Sequence, residues 1–277
     1  MNETLKRAIS GAVYITLLLI SILCSAESFF VLFGLFMLIA IVEFCDLVHL
    51  NKIIPLLLGL VIYGSIAYLA AAKIPLGKNF ELTMLAATLL VSARCLFFLF
   101  SEKMTKMDTV AKYLYVFGYL ILPFIIITKI PFGIKGYNPK IIIGIFILIW
   151  TNDTFAYIVG KSIGKRKLYA KISPKKTVEG FLGGIIFAVL ASFLIAKYYI
   201  EGGKTAQNIW IGFALIVGVF GTLGDLVESK FKRVAGVKDS GNIMPGHGGV
   251  LDRLDSVIFV APFIFLFYQI LNYVTFS

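Results

Sequence analysis

Residues 29–50 read FFVLFGLFMLIAIVEFCDLVHL, an apolar run whose only charged members are Glu43 and Asp46. Coiled as an α-helix, a stretch of this length crosses the ~30 Å hydrocarbon core of a bilayer. The run is continuous rather than alternating, so it fits a helix and not a barrel strand. Similar blocks of roughly 18 to 24 residues recur along the chain, the length a spanning helix requires. They place spans near 8–25, 29–50, 54–72, 80–100, 111–130, 141–160, 180–199, 208–228 and 251–274. The chain is 59% hydrophobic and 15% charged, with a mean hydropathy of +0.93, which excludes a water-facing globular domain. The expected fold class is all-α, a polytopic integral membrane protein with about nine transmembrane helices.

Lys6 and Arg7 ahead of the first apolar run resemble a secretory signal, but Cys24-Ser25-Ala26-Glu27 is a poor cleavage site and a second span follows at once. The first run is therefore read as a retained helix. A net charge of +11 raises the question of nucleic acid, and the placement of the charges answers it. With a cytoplasmic N-terminus, the connections on that side carry Lys6, Arg7, Lys52, Lys103, Lys106, Lys112, seven basic residues from Lys161 to Lys176, then Lys230, Lys232, Arg233 and Lys238, seventeen in all. The other side carries seven: Lys73, Lys78, Lys129, Lys135, Lys140, Lys197 and Lys204. That asymmetry is the positive-inside pattern of a multi-pass protein of the cell (inner) membrane, and it argues for a bilayer and against nucleic acid as partner. Cys24, Cys45 and Cys95 lie in or at the ends of spans without metal-ligand spacing.

Residues 1–140 form a uniform apolar helical scaffold, and the texture changes from Trp150 onward. Two polar segments, 161–179 and 229–250, hold most of the basic residues of the 141–277 half. No repeat, low-complexity tract or linker divides the chain, so 1–277 is expected to be one membrane domain whose catalytic half is 141–277. The chemistry is concentrated between Asp225 and Asp255. Asp225 and Glu228 are three residues apart and share a helix face, as do Asp252 and Asp255 on the next helix. Carboxylates at a membrane boundary are costly unless cations offset them, and a hard divalent ion such as Mg²⁺ takes oxygen ligands together with substrate phosphates. If Asp225 and Glu228 end one helix while Gly246 to Gly249 precede the start of another, metal suits the first terminus and phosphate the second. Lys232, Arg233, Lys238 and Arg253 are suited to hold a polyphosphate.

The stretch Ser229-Lys-Phe-Lys232-Arg233, Lys238-Asp239-Ser240, His247-Gly248-Gly249-Val-Leu-Asp252-Arg253-Leu-Asp255 resembles the signature of the phosphatidate cytidylyltransferase (CDP-diglyceride synthase) family. It departs from that pattern only at Met244, an apolar residue where the family usually has Leu, Ile or Phe. The resemblance continues upstream through Asp153-Thr-Phe-Ala-Tyr157, Gly160-Lys161, Gly164-Lys165 and Ser173-Pro-Lys-Lys-Thr177-Val-Glu179-Gly180, and is specific over residues 150–256. It implies a homodimeric membrane enzyme of phospholipid biosynthesis that condenses CTP with phosphatidic acid to CDP-diacylglycerol and pyrophosphate, with Mg²⁺ and room for a second metal ion. By position in the motif, Asp225, Asp252 and Asp255 are the expected metal ligands, with Glu228 a ligand or an orienting partner. Lys232, Arg233, Lys238 and Arg253 are expected on phosphates, and His247 in hydrogen bonding near nucleotide or pyrophosphate rather than as a base. Ser229, Asp239, Ser240, Gly248, Gly249, Asp153, Lys175, Lys176, Thr177 and Glu179 are expected substrate contacts. Glu43, Asp46 and Arg94 are equally well read as intramembrane ion pairs and stay outside this site. A CTP-dependent transferase acting on an ether-lipid or polyprenyl phosphate, and an ion-coupled transporter using the same carboxylates, are the competing readings.

Overall fold

The computed structural model of the chain describes residues 3–101, 107–133 and 136–276, with side chains described within 5–271. Lys103, Lys106 and Lys135, counted in the charge distribution above, lie outside the described residues. Among the described residues nine helices are long and apolar enough to span a membrane, so this is a multi-pass membrane protein. They are α1 (Glu3–Cys24), α2 (Ala26–Val48), α3 (Ile53–Ala71), α4 (Lys78–Phe100), α5 (Thr109–Lys129), α6 (Pro139–Ile163), α7 (Val178–Tyr199), α8 (Lys204–Val234) and α9 (Leu251–Phe276). Two short antiparallel hairpins join helices, β1 (Phe132–Gly133) with β2 (Gly136–Tyr137) and β3 (Lys167–Tyr169) with β4 (Ser173–Thr177). The end of α6 and the second hairpin occupy the polar segment 161–179.

Local chemistry explains several helix starts. Ser25 caps α2 by accepting from Ser28 N, while the Ser28 hydroxyl accepts from Ser25 N, so two terminal donors are satisfied reciprocally. Thr177 closes β4 and caps α7 through Gly180 N at 3.1 Å. Inside α8, residues Val217–Gly221 form a π-helical turn one turn before Asp225, a local widening that often accompanies a functional site.

The second half is held together by backbone contact at glycines. Gly180, Gly183 and Gly184 of α7 face α6, and a Cβ at Gly184 would lie 2.7 Å from Asn152 Oδ1 and 2.8 Å from Asn152 O. Gly224 does the same for α8 against α9: a Cβ there would lie 2.6 Å from Phe259 Cβ and 2.8 Å from Asp255 O. The absence of a side chain is what lets the two helices come close enough to share a carboxylate cluster. α9 is central, packed against α2, α4, α5, α6 and α8, with Leu254, Ile258, Val260 and Ile264 fully buried.

The length of α8 differs from the sequence expectation. The apolar run 208–228 ends at Glu228, but the helix continues to Val234, so Ser229, Lys232 and Arg233 are helical rather than part of a loop. Three consecutive side chains, about 100° apart on the helix, explain the extension. Lys230 is buried and its ammonium donates to Leu99 O at 3.1 Å, Ser101 O at 2.6 Å and Phe98 O, capping the C-terminus of α4. Phe231 inserts among Phe44, Phe98, Tyr115 and Tyr119 with ring centroids 4.9 to 5.6 Å away. Lys232 faces the carboxylates described below. The chain stays helical because each charge or ring finds a partner there.

Gly224→Val is expected to force α8 and α9 apart and to destabilise the protein by about 1–3 kcal/mol, the usual cost of overpacking. Thermal unfolding in detergent measures this, and a wild-type unfolding temperature would show that the close contact does not matter.

Candidate active site

The end of α8 and the start of α9 face one another across this close contact. Asp225 Oδ1 accepts from Ser229 Oγ at 3.1 Å, one turn along its own helix, and Asp225 Oδ2 pairs with Lys176 of β4 at 2.7 Å. Lys232 reaches in the other direction, contacting Glu228 on α8 and Asp252 Oδ1 on α9 at 2.6 Å. Asp252 Oδ2 accepts from Gly249 N at 2.7 Å, Ser240 N at 2.9 Å and Ser240 Oγ at 3.0 Å. Asp255 is buried, with Oδ1 accepting from Ser256 N at 2.7 Å. Glu228 is 1% exposed, and apart from the Lys232 contact neither of its oxygens accepts a hydrogen bond.

Oxygens of Asp225, Glu228 and Asp255 lie within 4.8 Å of one another. Three carboxylates so close repel one another unless positive charge separates them. A buried carboxylate without hydrogen bonds, converging with two others, is a donor set that fits a hard divalent cation. Asp252 is not one of the three, and Lys232, Ser240 and Gly249 engage both of its oxygens. The four expected ligands are thus divided three and one.

The carboxylates line a cavity of about 880 Å³ that both polar segments of the second half enclose. Asp153, Lys161, Lys175, Lys176 and Thr177 form one wall, and Asp225, Glu228, Lys232, Asp252, Arg253 and Asp255 the other. An apolar side is contributed by Ile15 of α1 with Phe146, Ile149 and Trp150 of α6. One pocket therefore offers cations, carboxylates and an apolar surface.

Several residues expected to touch substrate form hydrogen bonds within the frame of this cavity. Arg233 lines neither this cavity nor the smaller one beside it; it donates to Ile172 O at 3.4 Å and Val237 O at 2.9 Å, joining the turn of the β3–β4 hairpin to the end of α8. Glu179 accepts from Lys165 N at 3.0 Å and Arg166 N at 3.2 Å, fixing the entry to β3. Ser229, Ser240 and Gly249 hold Asp225 and Asp252. Gly248, with φ of +86°, has no room for a side chain because a Cβ would sit 2.3 Å from Asp252 Oδ2. Lys238 borders only the smaller cavity, whereas Asp239 and His247 border both.

The helix-terminus reading also changes. Asp225 and Glu228 lie inside α8, not at its end, so its macrodipole does little for them. At the start of α9 the free amides are occupied by protein carboxylates: Val250 N and Leu251 N donate to the two oxygens of Glu43 at 3.0 and 2.8 Å, and Gly249 N donates to Asp252. Glu43, set aside as a possible ion-pair member, is a buried cap for α9 supplied by α2. The Ser240 hydroxyl lies 3.2 Å from Glu43 and 3.0 Å from Asp252, with one proton for two acceptors. The sequence signal was a glutamate in an apolar run, and backbone amides two hundred residues away left no mark in the pattern. Asp46 does form an ion pair, with Lys52 at 2.7 Å, and Arg94 stacks over Tyr115.

His247 accepts or donates through Nδ1 with Ser10 Oγ of α1 at 2.7 Å. Burial first, then the positive charges of Arg253 and Arg7, hold its pKa below the ordinary imidazole value. That shift disfavours the imidazolium and suits a hydrogen-bonding role.

A helical multi-pass membrane protein with a carboxylate-lined, lysine-flanked cavity where α8 ends and α9 begins is the class that fold and site define. Residues 5–271 match the Cytidylyltransferase family, and the chain belongs to it. Over 119 residues it is 52% identical to a phosphatidate cytidylyltransferase of Staphylococcus aureus (strain COL), covering 42% of this chain and 44% of that protein. Over 120 residues it is 52% identical to a phosphatidate cytidylyltransferase of Bacillus subtilis (strain 168), covering 43% and 44%. The chain thus spans under half the length of these curated relatives.

Glu43→Ala should leave the Val250 and Leu251 amides buried and unpaired, at a cost of about 1–3 kcal/mol for each group. The expected result is a clearly lower unfolding temperature in detergent, with Glu43→Gln intermediate because one oxygen acceptor remains. Equal stability of Glu43→Ala and wild type would remove the cap from this account.

Proposed function

We propose that the protein is a phosphatidate cytidylyltransferase, condensing CTP with phosphatidic acid to give CDP-diacylglycerol and pyrophosphate. The observation that carries this reading is the grouping of Asp225, Glu228 and Asp255, with oxygens within 4.8 Å, beside Lys176 and Lys232 in one cavity of a multi-pass membrane protein. The family and the names of the relatives support the same chemistry.

In the reaction an oxygen of the lipid phosphate attacks the α-phosphorus of CTP; that P–O bond forms, the α–β bridging P–O bond breaks, and pyrophosphate leaves with the bond electrons. Two anions must be brought together, so most of the catalytic work is positioning and charge neutralisation. Asp225, Glu228 and Asp255 would hold Mg²⁺, and Asp252 would be the candidate ligand for a second metal ion. The bound metal supplies Lewis-acid stabilisation of charge on the phosphoryl oxygens. Lys176 and Lys232, now paired with Asp225 and Asp252, exchange those carboxylates for phosphate oxygens when substrate binds. Lys161, Lys175 and Arg253 add positive charge on the cavity walls, and Asp153 and Thr177 line the nucleotide's side of the pocket. Ile15, Phe146, Ile149 and Trp150 provide the apolar surface that the diacylglycerol part needs. No residue has to act as base, since a phosphomonoester is already ionised at neutral pH.

We infer from the charge asymmetry that the N-terminus and the cavity face the cytoplasmic side of the cell membrane. We further propose that the chain works as one membrane domain and as a homodimer.

Purified protein in detergent, given phosphatidic acid, labelled CTP and Mg²⁺, is expected to form lipid-linked CMP and pyrophosphate and to stop when a chelator is added; no product under these conditions would overturn the assignment. Asp225→Asn or Asp252→Asn should lower turnover by about 10–100-fold or more, as loss of a ligand or its close support does, while the protein still folds. Wild-type rates in either variant would remove that residue from the site.

A further inference from the structure

Beside the carboxylate cavity lies a second pocket of about 470 Å³ with a different character. Arg7, Lys238, His247 and Arg253 border it, with Asp239 its one carboxylate. It shares Asp239, Met244, His247 and Arg253 with the larger cavity, so the two adjoin at those residues. Its floor is the turn from Met244 to Gly248, closed by Met244 N to Gly248 O and His247 N to Met244 O, both 2.9 Å.

The unexpected member is Arg7, from the first helix of the apolar half. One face of α1 docks on this turn through positions 7, 10 and 11, the spacing that puts side chains on one side of a helix. Ser10 Oγ lies 2.7 Å from His247 Nδ1 and 3.0 Å from Pro245 O. Gly11 lets the imidazole approach, since a Cβ there would be 3.3 Å from His247 Cε1. The stem of Arg7 lies across Gly246, where φ is +77° and a Cβ would meet Arg7 Cγ at 2.7 Å. Arg7 is thus held over the pocket by the fit between helix and turn.

The use of the other cations gives this its meaning. Lys176 is engaged by Asp225, and Lys232 by Glu228 and Asp252. Among the described residues, Arg7, Lys238 and Arg253 form no ion pair with a carboxylate, and the Arg253 guanidinium donates to the carbonyl of His247 at 3.0 Å. Guanidinium groups suit phosphate because two N–H donors match two oxygens. Three cations around one small pocket, next to a cavity rich in carboxylate, separate the place for a phosphate group from the place for a metal.

We propose that Arg7, Lys238 and Arg253 form a second phosphate-binding site and that α1, through Arg7, completes the active centre. Which phosphate it takes rests on the proposed function: the departing pyrophosphate portion of the nucleotide, or the phosphate of the lipid.

The test compares wild type with Arg7→Gln, Arg7→Lys and Lys6→Gln, the last removing the same charge from a neighbouring position outside both pockets. Three constants are read in detergent: inhibition by inorganic pyrophosphate, KM for CTP, and KM for phosphatidic acid in mixed micelles. Arg7→Gln is expected to weaken at least one by about tenfold or more, the range of a lost charged hydrogen bond, with Arg7→Lys recovering part of it. Weakened pyrophosphate inhibition and CTP affinity assign the site to the nucleotide; a raised KM for phosphatidic acid alone assigns it to the lipid. Unchanged constants in Arg7→Gln, or the same losses in Lys6→Gln, would overturn the proposal. Calorimetric binding of inorganic pyrophosphate and of glycerol 3-phosphate to the same proteins keeps this test separate from the proposed reaction. If wild type shows no cytidylyl transfer, binding of either anion that Arg7→Gln weakens still supports the site, and no difference from wild type refutes it.

Discussion

Lys232 holds the two site-bearing helices in register, with one ammonium against Glu228 of its own helix and Asp252 of the next. A lysine buried between two carboxylates is stable only because both partners are fixed, and each of them is fixed by other means. Asp252 is fastened by the amides of Ser240 and Gly249, and Glu228 by its place on a helix whose neighbours Lys230 and Phe231 are locked into α4 and an aromatic cluster. The close approach at Gly224 sets the distance over which this bridge operates.

The same arrangement keeps the charges of the site poised. Asp225, Glu228 and Asp255 crowd three carboxyl groups beside two lysines, in a setting where unpaired charge is expensive. That crowding can persist in the fold because α9 and α8 are each anchored elsewhere, by Glu43 at the start of one and by Lys230 near the end of the other. Stability is invested in the helix ends, and the cavity between them is left with one Glu228 oxygen, Oε1, that has no partner. Local frustration of this kind is what a binding site requires and a purely structural core avoids.

The apolar first half is more than a scaffold. Glu43 of α2 caps α9, the carbonyls at the end of α4 receive Lys230, and α1 lays Arg7, Ser10 and Gly11 against the turn that carries His247. Each contact ties a helix of residues 1–140 to a polar segment of the second half. The division at about residue 140, evident in composition, does not divide the site.

How far the sequence reaches can be judged from particular residues. Hydropathy and run length are local properties, so they determined nine spans and a multi-pass architecture without reference to any contact. Helical spacing also determined that Asp225 with Glu228, and Asp252 with Asp255, share faces, because a rotation of 100° per residue needs no tertiary information. It misjudged where α8 ends, since Lys230 and Lys232 look like loop residues until their partners on α4 and α9 are known. The separation of Asp252 from the other three carboxylates, the capture of the α9 amides by Glu43, and the meeting of Arg7 with His247 were decided only by tertiary structure. Each depends on distances between groups far apart in the chain, set by how closely glycine-bearing helices pack, and no periodicity records such a distance.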